Sequence, residues 1–135
     1  MVALYAEKSD TKNGIILESV LSEEQLTTVL QYVVNDVLSY CGVDVYQIIL
    51  FGSYAKHTAK GKSDIDILVL FFLGGGCRTP TITDHAYAAG LNTKYLNLIN
   101  KDVHLVFEKY CFYTRQAEKW YKDVPSYCKI IYTVN

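Results

Sequence analysis

Two aspartates, Asp64 and Asp66, stand at the start of an apolar run that continues to Leu73. Runs of this length that are rich in Ile, Val and Phe are typical of β-strands, in which alternate side chains share a face. The two carboxylates are therefore expected about 7 Å apart along one face. Because like charges repel unless a cation or proton lies between them, the spacing indicates a site for a hard cation such as Mg²⁺. A solvated strand end is the plainer interpretation of the same two acids.

A glycine and a serine, Gly52 and Ser53, directly follow the preceding apolar run, Ile48–Phe51. The next residues predict a helix over Ser53–Lys60. The first turn of a helix presents unpaired N–H groups and a partial positive charge, which together favour a phosphate group. Glycine lets a phosphate approach the backbone, and serine adds a hydroxyl donor. The alternative is that Ser53 is an ordinary helix N-cap.

The spacing between the two pairs is more specific than either pair alone. Ten residues separate Ser53 from Asp64, so the chain reads GS-x10-DxD between two predicted strands. The segment GSYAKHTAKGKSDIDILVL resembles the signature of the DNA polymerase β-like nucleotidyltransferase superfamily. It is most similar to the small minimal nucleotidyltransferases, the MNT group, whose pattern is GSxAxG…SDxDxxV. The matching residues are Gly52, Ser53, Ala55, Ser63, Asp64, Asp66 and Val69, whereas His57 replaces the next glycine of the pattern.

The resemblance implies both a reaction and the residues that carry it. The reaction is transfer of a nucleoside monophosphate group from ATP or another NTP to an acceptor hydroxyl, with release of pyrophosphate. Gly52 and Ser53 would hold the triphosphate, and Lys56 falls where the family often carries a basic residue that contacts it. Asp64 and Asp66 would bind Mg²⁺, in a site for two such ions.

A third carboxylate of the family comes from a strand that is predicted here over Asp102–Glu108. The family's VD[LIV]V-like pattern reads VHLV in this chain, so His104 stands at the position of the acid. Asp102 shares a strand face with His104 and is the other candidate third ligand. Histidine binds metals and accepts protons, but it matches Mg²⁺ poorly. The sequence leaves open whether His104 or Asp102 replaces the carboxylate, or whether activity is lost.

The surrounding elements predict an α/β (α+β) domain with a mixed sheet and helices chiefly on one face. The resemblance implies the same architecture, the polymerase β palm-like core. A capping box at Ser22 begins a helix that continues to about Tyr40. The second strand is apolar on both faces beyond Asp66, which predicts a central position in the sheet. The other predicted elements are strands over Val45–Phe51 and Ile65–Leu73 and a helix over Asp84–Asn100.

The remaining segments are less distinctive. In the MNT group a C-terminal helical segment follows the third strand, and residues 110–135 are similar to it. Arg115–Lys122 predicts a helix there, and Ser126–Asn135 predicts a last helix or strand. Ile15–Leu17 predicts a short strand or a core contact, and Gly74–Gly76 predicts a turn or a loop over the site.

Composition restricts the class of protein. With 135 residues, 50% of them hydrophobic, the chain forms one domain, residues 1–135, with a real core. A net charge of −1 argues against a dedicated nucleic-acid surface and leaves only a local patch open. Four cysteines without a CxxC pair give no zinc motif and favour a reducing cytoplasm. The start of the chain lacks a signal-peptide core, and no apolar run is long enough to span a bilayer.

No part of the sequence predicts a separate domain for the acceptor, so a second subunit or a partner is expected to supply it. The MNT resemblance implies one such partner, the HEPN toxin of a toxin–antitoxin pair, which would receive AMP on a tyrosine. A small-molecule acceptor would use the same chemistry. The departure at His104 motivates a different hypothesis, a catalytically silent binding module that neutralises a partner by contact. The third hypothesis is a structural domain in which the motif is a relic.

Overall fold

The computed structural model describes residues 19–72, 79–109 and 127–134. A four-stranded sheet organises these residues, with strand order β3–β2–β1–β4. β2 pairs with β3 in parallel, whereas β1 is antiparallel to both of its neighbours. The predicted mixed sheet is therefore confirmed. The strands are β1 (Val45–Phe51), β2 (Ile65–Phe71), β3 (Val103–Lys109) and β4 (Lys129–Thr133), and the helices are α1 (Glu23–Cys41), α2 (Gly52–Lys56) and α3 (Ile82–Ile99).

The start of α1 follows the predicted capping box. The Ser22 hydroxyl accepts a hydrogen bond from the Gln25 N–H at 3.1 Å, and the Gln25 side chain accepts one from the Ser22 N–H at 2.8 Å. The helix ends at Cys41, where the Gly42 N–H donates to the carbonyl of Leu38. A single 3₁₀ turn, Gly42–Asp44, then leads into β1.

The main core lies between the sheet and the two long helices. It joins apolar residues of α1 and α3 to alternate residues of the strands, and β2 is buried along almost its whole length. Ile49, Leu68 and Leu70 form a smaller apolar cluster on the opposite sheet face. Tyr40 of α1 stacks on Tyr87 of α3 with ring centroids 3.9 Å apart, which joins the two helices on one face. β2 lies between β3 and β1 in the sheet, so its predicted central position is confirmed.

The helix predicted over Ser53–Lys60 is wrong in its second half, because α2 ends at Lys56. His57 takes the left-handed conformation, with φ of 61°, and its N–H turns back to the carbonyls of Ser53 and Tyr54. Thr58 N–H also donates to the Ser53 carbonyl, at 2.9 Å. A left-handed residue with such reversed hydrogen bonds is a common helix ending. Histidine is an unusual residue at such an ending, so helix propensity does not predict it.

The other boundaries differ by a few residues. A Thr81–Asp84 capping box starts α3 at Ile82, earlier than predicted. Within the segment predicted as a last helix or strand, Lys129–Thr133 forms the strand β4, so that part of the tail is not helical. The features predicted at Ile15–Leu17, Gly74–Gly76 and Arg115–Lys122 lie outside the described residues. No helix of the described residues is long and apolar enough to cross a membrane.

Lys101 is buried just before β3, with 3% of its surface exposed. Its ammonium donates to the carbonyls of Ser19 and Gly61, the latter at 2.6 Å, and so ties the loop before Asp64 to the segment before α1. Lys101→Met is expected to lower the free energy of unfolding by about 1–3 kcal/mol, because two partly buried carbonyls lose their donor. Urea denaturation measures the change. Lys94→Met removes a partly exposed ion pair with Asp36 and should lower the free energy of unfolding by less. An equal loss in both variants would contradict the stabilising role of the Lys101 hydrogen bonds.

Glu108 lies near the end of β3, opposite Leu70 of β2. Burial raises the pKa of its carboxyl above the ordinary 4.5. The folded chain therefore holds this proton more tightly than the unfolded chain, so its stabilising effect is full below pH 4.5 and is lost as pH rises through the raised pKa. Glu108→Gln is expected to raise the free energy of unfolding at neutral pH.

The same change should have a shrinking effect toward about pH 4, where the Glu108 carboxyl is protonated in both states. Urea denaturation at a series of pH values follows the difference between variant and wild type. Glu24→Gln, on the exposed first turn of α1, is the matched control. A difference that grows on acidification would show that the sign is wrong.

Candidate active site

The strand pairing brings the predicted site residues to one end of the sheet. Asp66 is the second residue of β2, and Asp64 stands just before the strand. In the register of the sheet, Asp66 lies opposite Phe51 on one side and His104 on the other. The end of β1, the start of β2 and the start of β3 therefore meet. Gly52 follows Phe51, so the glycine–serine turn reaches the same place.

Gly52 lies directly against the carboxylate of Asp66. Its φ is +74°, a backbone conformation that is unfavourable for residues with a Cβ atom. A Cβ at this position would lie 2.9 Å from Asp66 Cγ and would collide with one carboxylate oxygen. Glycine is thus required for two reasons, the backbone angle and the contact with Asp66. The backbone at the start of α2 and the acid of β2 share one small space.

Ser53 is the second residue of α2, and the N-cap is Phe51, which makes no side-chain capping hydrogen bond. The interpretation of Ser53 as an ordinary N-cap is therefore wrong. The first N–H groups of a helix have no partner within it, and here they belong to Gly52 and its neighbours. Lys56, at the other end of α2, places its ammonium 4.5 Å from the centroid of the Tyr127 ring.

The carboxyl of Asp66 responds to its surroundings. Burial raises the pKa of Asp66, the hydrogen bond with His104 lowers it, and the charge of Asp64 raises it. Asp64 itself is exposed. A bound cation would remove the cost of holding both charges together.

His104 also contacts Asp66. Its Nδ1 lies 3.1 Å from Asp66 Oδ1, and its side chain is 60% exposed. Asp102 is placed differently, because its carboxylate accepts a hydrogen bond from the Asn92 side-chain amide at 3.1 Å. Of the two candidate third ligands, His104 is the one that contacts Asp66. The backbone of Asp102 has a structural role, since its carbonyl accepts the Ile65 N–H at 2.9 Å.

Asn92 of α3 is a site residue that the sequence did not reveal. Its side-chain oxygen accepts the Val103 N–H at 2.8 Å, and its amide group donates to Asp102. The residue thus fixes α3 against the start of β3. It belongs to no recognisable motif, and only the packing of α3 on the sheet brings it to the site.

A cleft of about 220 Å³ opens beside the acids. Asp64, Asp102 and His104 line one side, and α3 supplies the other side through small residues, Ala88 and Ala89. The small side chains leave room next to the carboxylates. The cleft therefore gives a second molecule access to a ligand that is held between Gly52 and the aspartates.

The donor atoms suit a cation that arrives together with phosphate. Among the described ranges, no three His, Cys, Asp or Glu side chains converge as a ready-made metal cage. Mg²⁺ does not need one, because it commonly takes one or two protein carboxylates and completes its shell with phosphates and water. Asp64 and Asp66 are the residues that would supply those carboxylates.

Comparison with known proteins agrees with this geometry. The family model described as "Nucleotidyltransferase domain" matches residues 30–127, a span that contains every candidate site residue. A candidate nucleotidyltransferase from Sulfolobus solfataricus has a similar solved structure, with a TM-score of 0.51 and 20% identity over 79% of each chain. A mutant of the toxin–antitoxin MntA–HpeT is similar too, with a TM-score of 0.50 and 24% identity over 78% of this chain and 73% of that chain. No curated protein matches the sequence. Because the family match covers most of the chain, the protein belongs to the nucleotidyltransferase domain family.

Proposed function

We propose that this protein transfers a nucleoside monophosphate group from ATP or another NTP to an acceptor hydroxyl, with Mg²⁺ as cofactor. The observation that carries the proposal is the contact between the Gly52 backbone and the Asp66 carboxylate. This contact supports the proposal, because helix N-terminal N–H groups favour phosphate and a carboxylate favours a hard metal ion. Family membership supplies the class of reaction.

In this proposal each group has one task. The N–H groups at the start of α2 and the Ser53 hydroxyl hold the triphosphate, and Asp64 and Asp66 hold Mg²⁺ against it. When bound there, Mg²⁺ neutralises phosphate charge and so favours attack on the α-phosphorus and departure of pyrophosphate. The Lys56 ammonium lies over Tyr127 in this structure, so it would have to turn to reach a phosphate.

The cleft between β3 and α3 is the expected route of the acceptor. It borders Asp64 and His104, on the side of the acids away from α2. An acceptor hydroxyl that enters there forms the new bond to the α-phosphorus, while the bond between the α-phosphorus and the bridging oxygen breaks. The hydroxyl proton leaves to solvent or to a group that lines the cleft.

A partner protein is the proposed acceptor. The fold is similar to that of a protein solved in a toxin–antitoxin assembly, and the motif resembles that of the MNT group. On this basis the chain acts in the cytoplasm as the antitoxin of a HEPN-type toxin, and it transfers AMP to a tyrosine of that toxin. The likeness supports this partner through the fold and the motif only.

Label transfer tests the reaction. The protein, each NTP labelled at the α-phosphate, Mg²⁺ and a co-expressed HEPN-type protein are incubated together, and acceptor-bound label is located by mass spectrometry. We expect label on a tyrosine, with pyrophosphate released in equal amount. Nucleotide binding that never leads to label on a protein or on a small hydroxyl compound would overturn the proposed transfer.

One observation favours a second candidate function. His104, at the position of the family's third acid, hydrogen-bonds to Asp66 at 3.1 Å. A chain that has lost catalysis in this way could still neutralise its partner by contact. Unchanged neutralisation by Asp64→Asn would favour this binding module. Loss of neutralisation in that variant, with the fold intact, would favour the transferase.

A further inference from the structure

The contact between Asp66 and His104 has the dimensions of a metal site. Neighbouring ligands of an octahedral ion with bonds of 2.0–2.1 Å lie about 3.0 Å apart. The Asp66 Oδ1 and His104 Nδ1 atoms are separated by 3.1 Å. The two atoms are thus as close together as adjacent ligands of one ion, and such an ion would replace the hydrogen bond that joins them.

The backbone holds the two residues side by side. Asp66 and His104 are directly paired residues of the parallel strands β2 and β3. Their neighbours Ile65, Ile67 and Val103 are at most 1% exposed, so the strands are anchored on both sides of the pair. The sheet thus keeps the two residues adjacent, so that one ion can reach both side chains.

The chemistry of this pair differs from that of two carboxylates. Mg²⁺ prefers oxygen ligands, whereas imidazole suits first-row transition ions. Zn²⁺ in protein sites usually takes nitrogen and sulfur ligands in a tetrahedral arrangement. A site with one nitrogen and several carboxylate and phosphate oxygens is best matched by Mn²⁺, which accepts octahedral oxygen sites and also binds nitrogen.

We propose that the ion bound between Asp66 and His104 is Mn²⁺ in preference to Mg²⁺. This inference rests on the proposed function, because substrate phosphates complete the ligand shell. It concerns the β3 side of the site alone and leaves Mg²⁺ at the carboxylates that face the triphosphate. Asp102 is not part of this pair, since its carboxylate is engaged by Asn92.

Competition between the two ions tests the proposal. The electron paramagnetic resonance signal of free Mn²⁺ is followed as Mn²⁺ is added to the protein with a non-hydrolysable NTP analogue, at several Mg²⁺ concentrations. The result is a ratio of Mn²⁺ affinity to Mg²⁺ affinity. We expect this ratio to fall at least about tenfold in His104→Asp and in His104→Gln. Circular dichroism checks that both variants fold. Both should fold, because the His104 side chain is largely exposed.

Glu24→Gln is the control, because Glu24 lies on the exposed first turn of α1 and does not line the cleft. Its ratio should equal that of the wild type. An unchanged ratio in both His104 variants, or an equal fall in Glu24→Gln, would overturn the assignment to His104. These outcomes leave the proposed transfer intact if the wild type still binds Mg²⁺ with nucleotide. A wild type that binds neither ion nor nucleotide would overturn both proposals.

Discussion

Replacing Asp64 and Asp66 together by asparagine is expected to lower nucleotidyl transfer at least about a thousandfold. The reason is that the developing phosphate charge loses the ion that neutralises it, and loss of a single electrostatic group already costs 10²–10³ in rate. The fold should survive, because Asp64 is exposed and burial already disfavours the charge of Asp66. Label transfer measures the rate, and calorimetric titration shows whether NTP binding still depends on Mg²⁺.

The control for this pair is Glu24→Gln, the same chemical change on the exposed first turn of α1. Its transfer rate and NTP affinity should equal those of the wild type. Retained transfer in the double asparagine variant would show that the two acids are not the metal ligands. If the double variant loses both transfer and the circular dichroism signal of the folded protein, the single variants Asp64→Asn and Asp66→Asn are measured instead.

Gly52→Ala is expected to impair both stability and nucleotide binding. The φ of +74° disfavours a side chain by about 1–2 kcal/mol, and the added Cβ would strike the Asp66 carboxylate. Asp66 would have to turn away from the start of α2, which separates the phosphate-binding backbone from the metal-binding acid. Urea denaturation should show a loss of about 1–3 kcal/mol, and NTP titration should show weakened or absent binding.

Two comparisons separate the causes. Gly90→Ala lies in the interior of α3, where an added Cβ meets nothing within 4 Å, and it should stabilise by about 0.5–1 kcal/mol. In the background of Asp66→Ala the collision with the carboxylate is absent and only the 3.1 Å contact with the Cβ of residue 66 remains, so Gly52→Ala should cost less stability there than in the wild type. An equal cost in both backgrounds would mean that the contact with Asp66 has no energetic effect.

The sequence predicted those features that depend on local pattern and spacing. The bounds of β1 and the capping box of α1 follow from apolar runs and a short hydrogen-bonding signature, and both are confirmed. The ten-residue spacing predicted a site shared by the glycine–serine turn and the acids, and Asp66 does contact Gly52. The family pattern aligned His104 with the third acid, and the parallel pairing of β2 with β3 places it beside Asp66.

Features that depend on contacts between distant segments were not predictable. Asp102 and His104 share a strand face, so alternation could not decide between them, and the hydrogen bond from Asn92 to Asp102 exists only because α3 packs on β3. The early end of α2 depends on a left-handed histidine, which helix propensity does not anticipate. The residues after β3 had no clear period, and pairing with β1 determines that β4 is a strand.

The most direct test of the proposed site is a calorimetric titration of the wild-type protein with each NTP, in Mg²⁺ and again with the metal removed by a chelator. We expect one nucleotide to bind per chain in the presence of Mg²⁺ and binding to be lost without it, because Asp64 and Asp66 repel phosphate unless a cation lies between them. Binding of equal strength without metal would contradict the role of the two acids. No binding of any NTP would contradict the site as a whole.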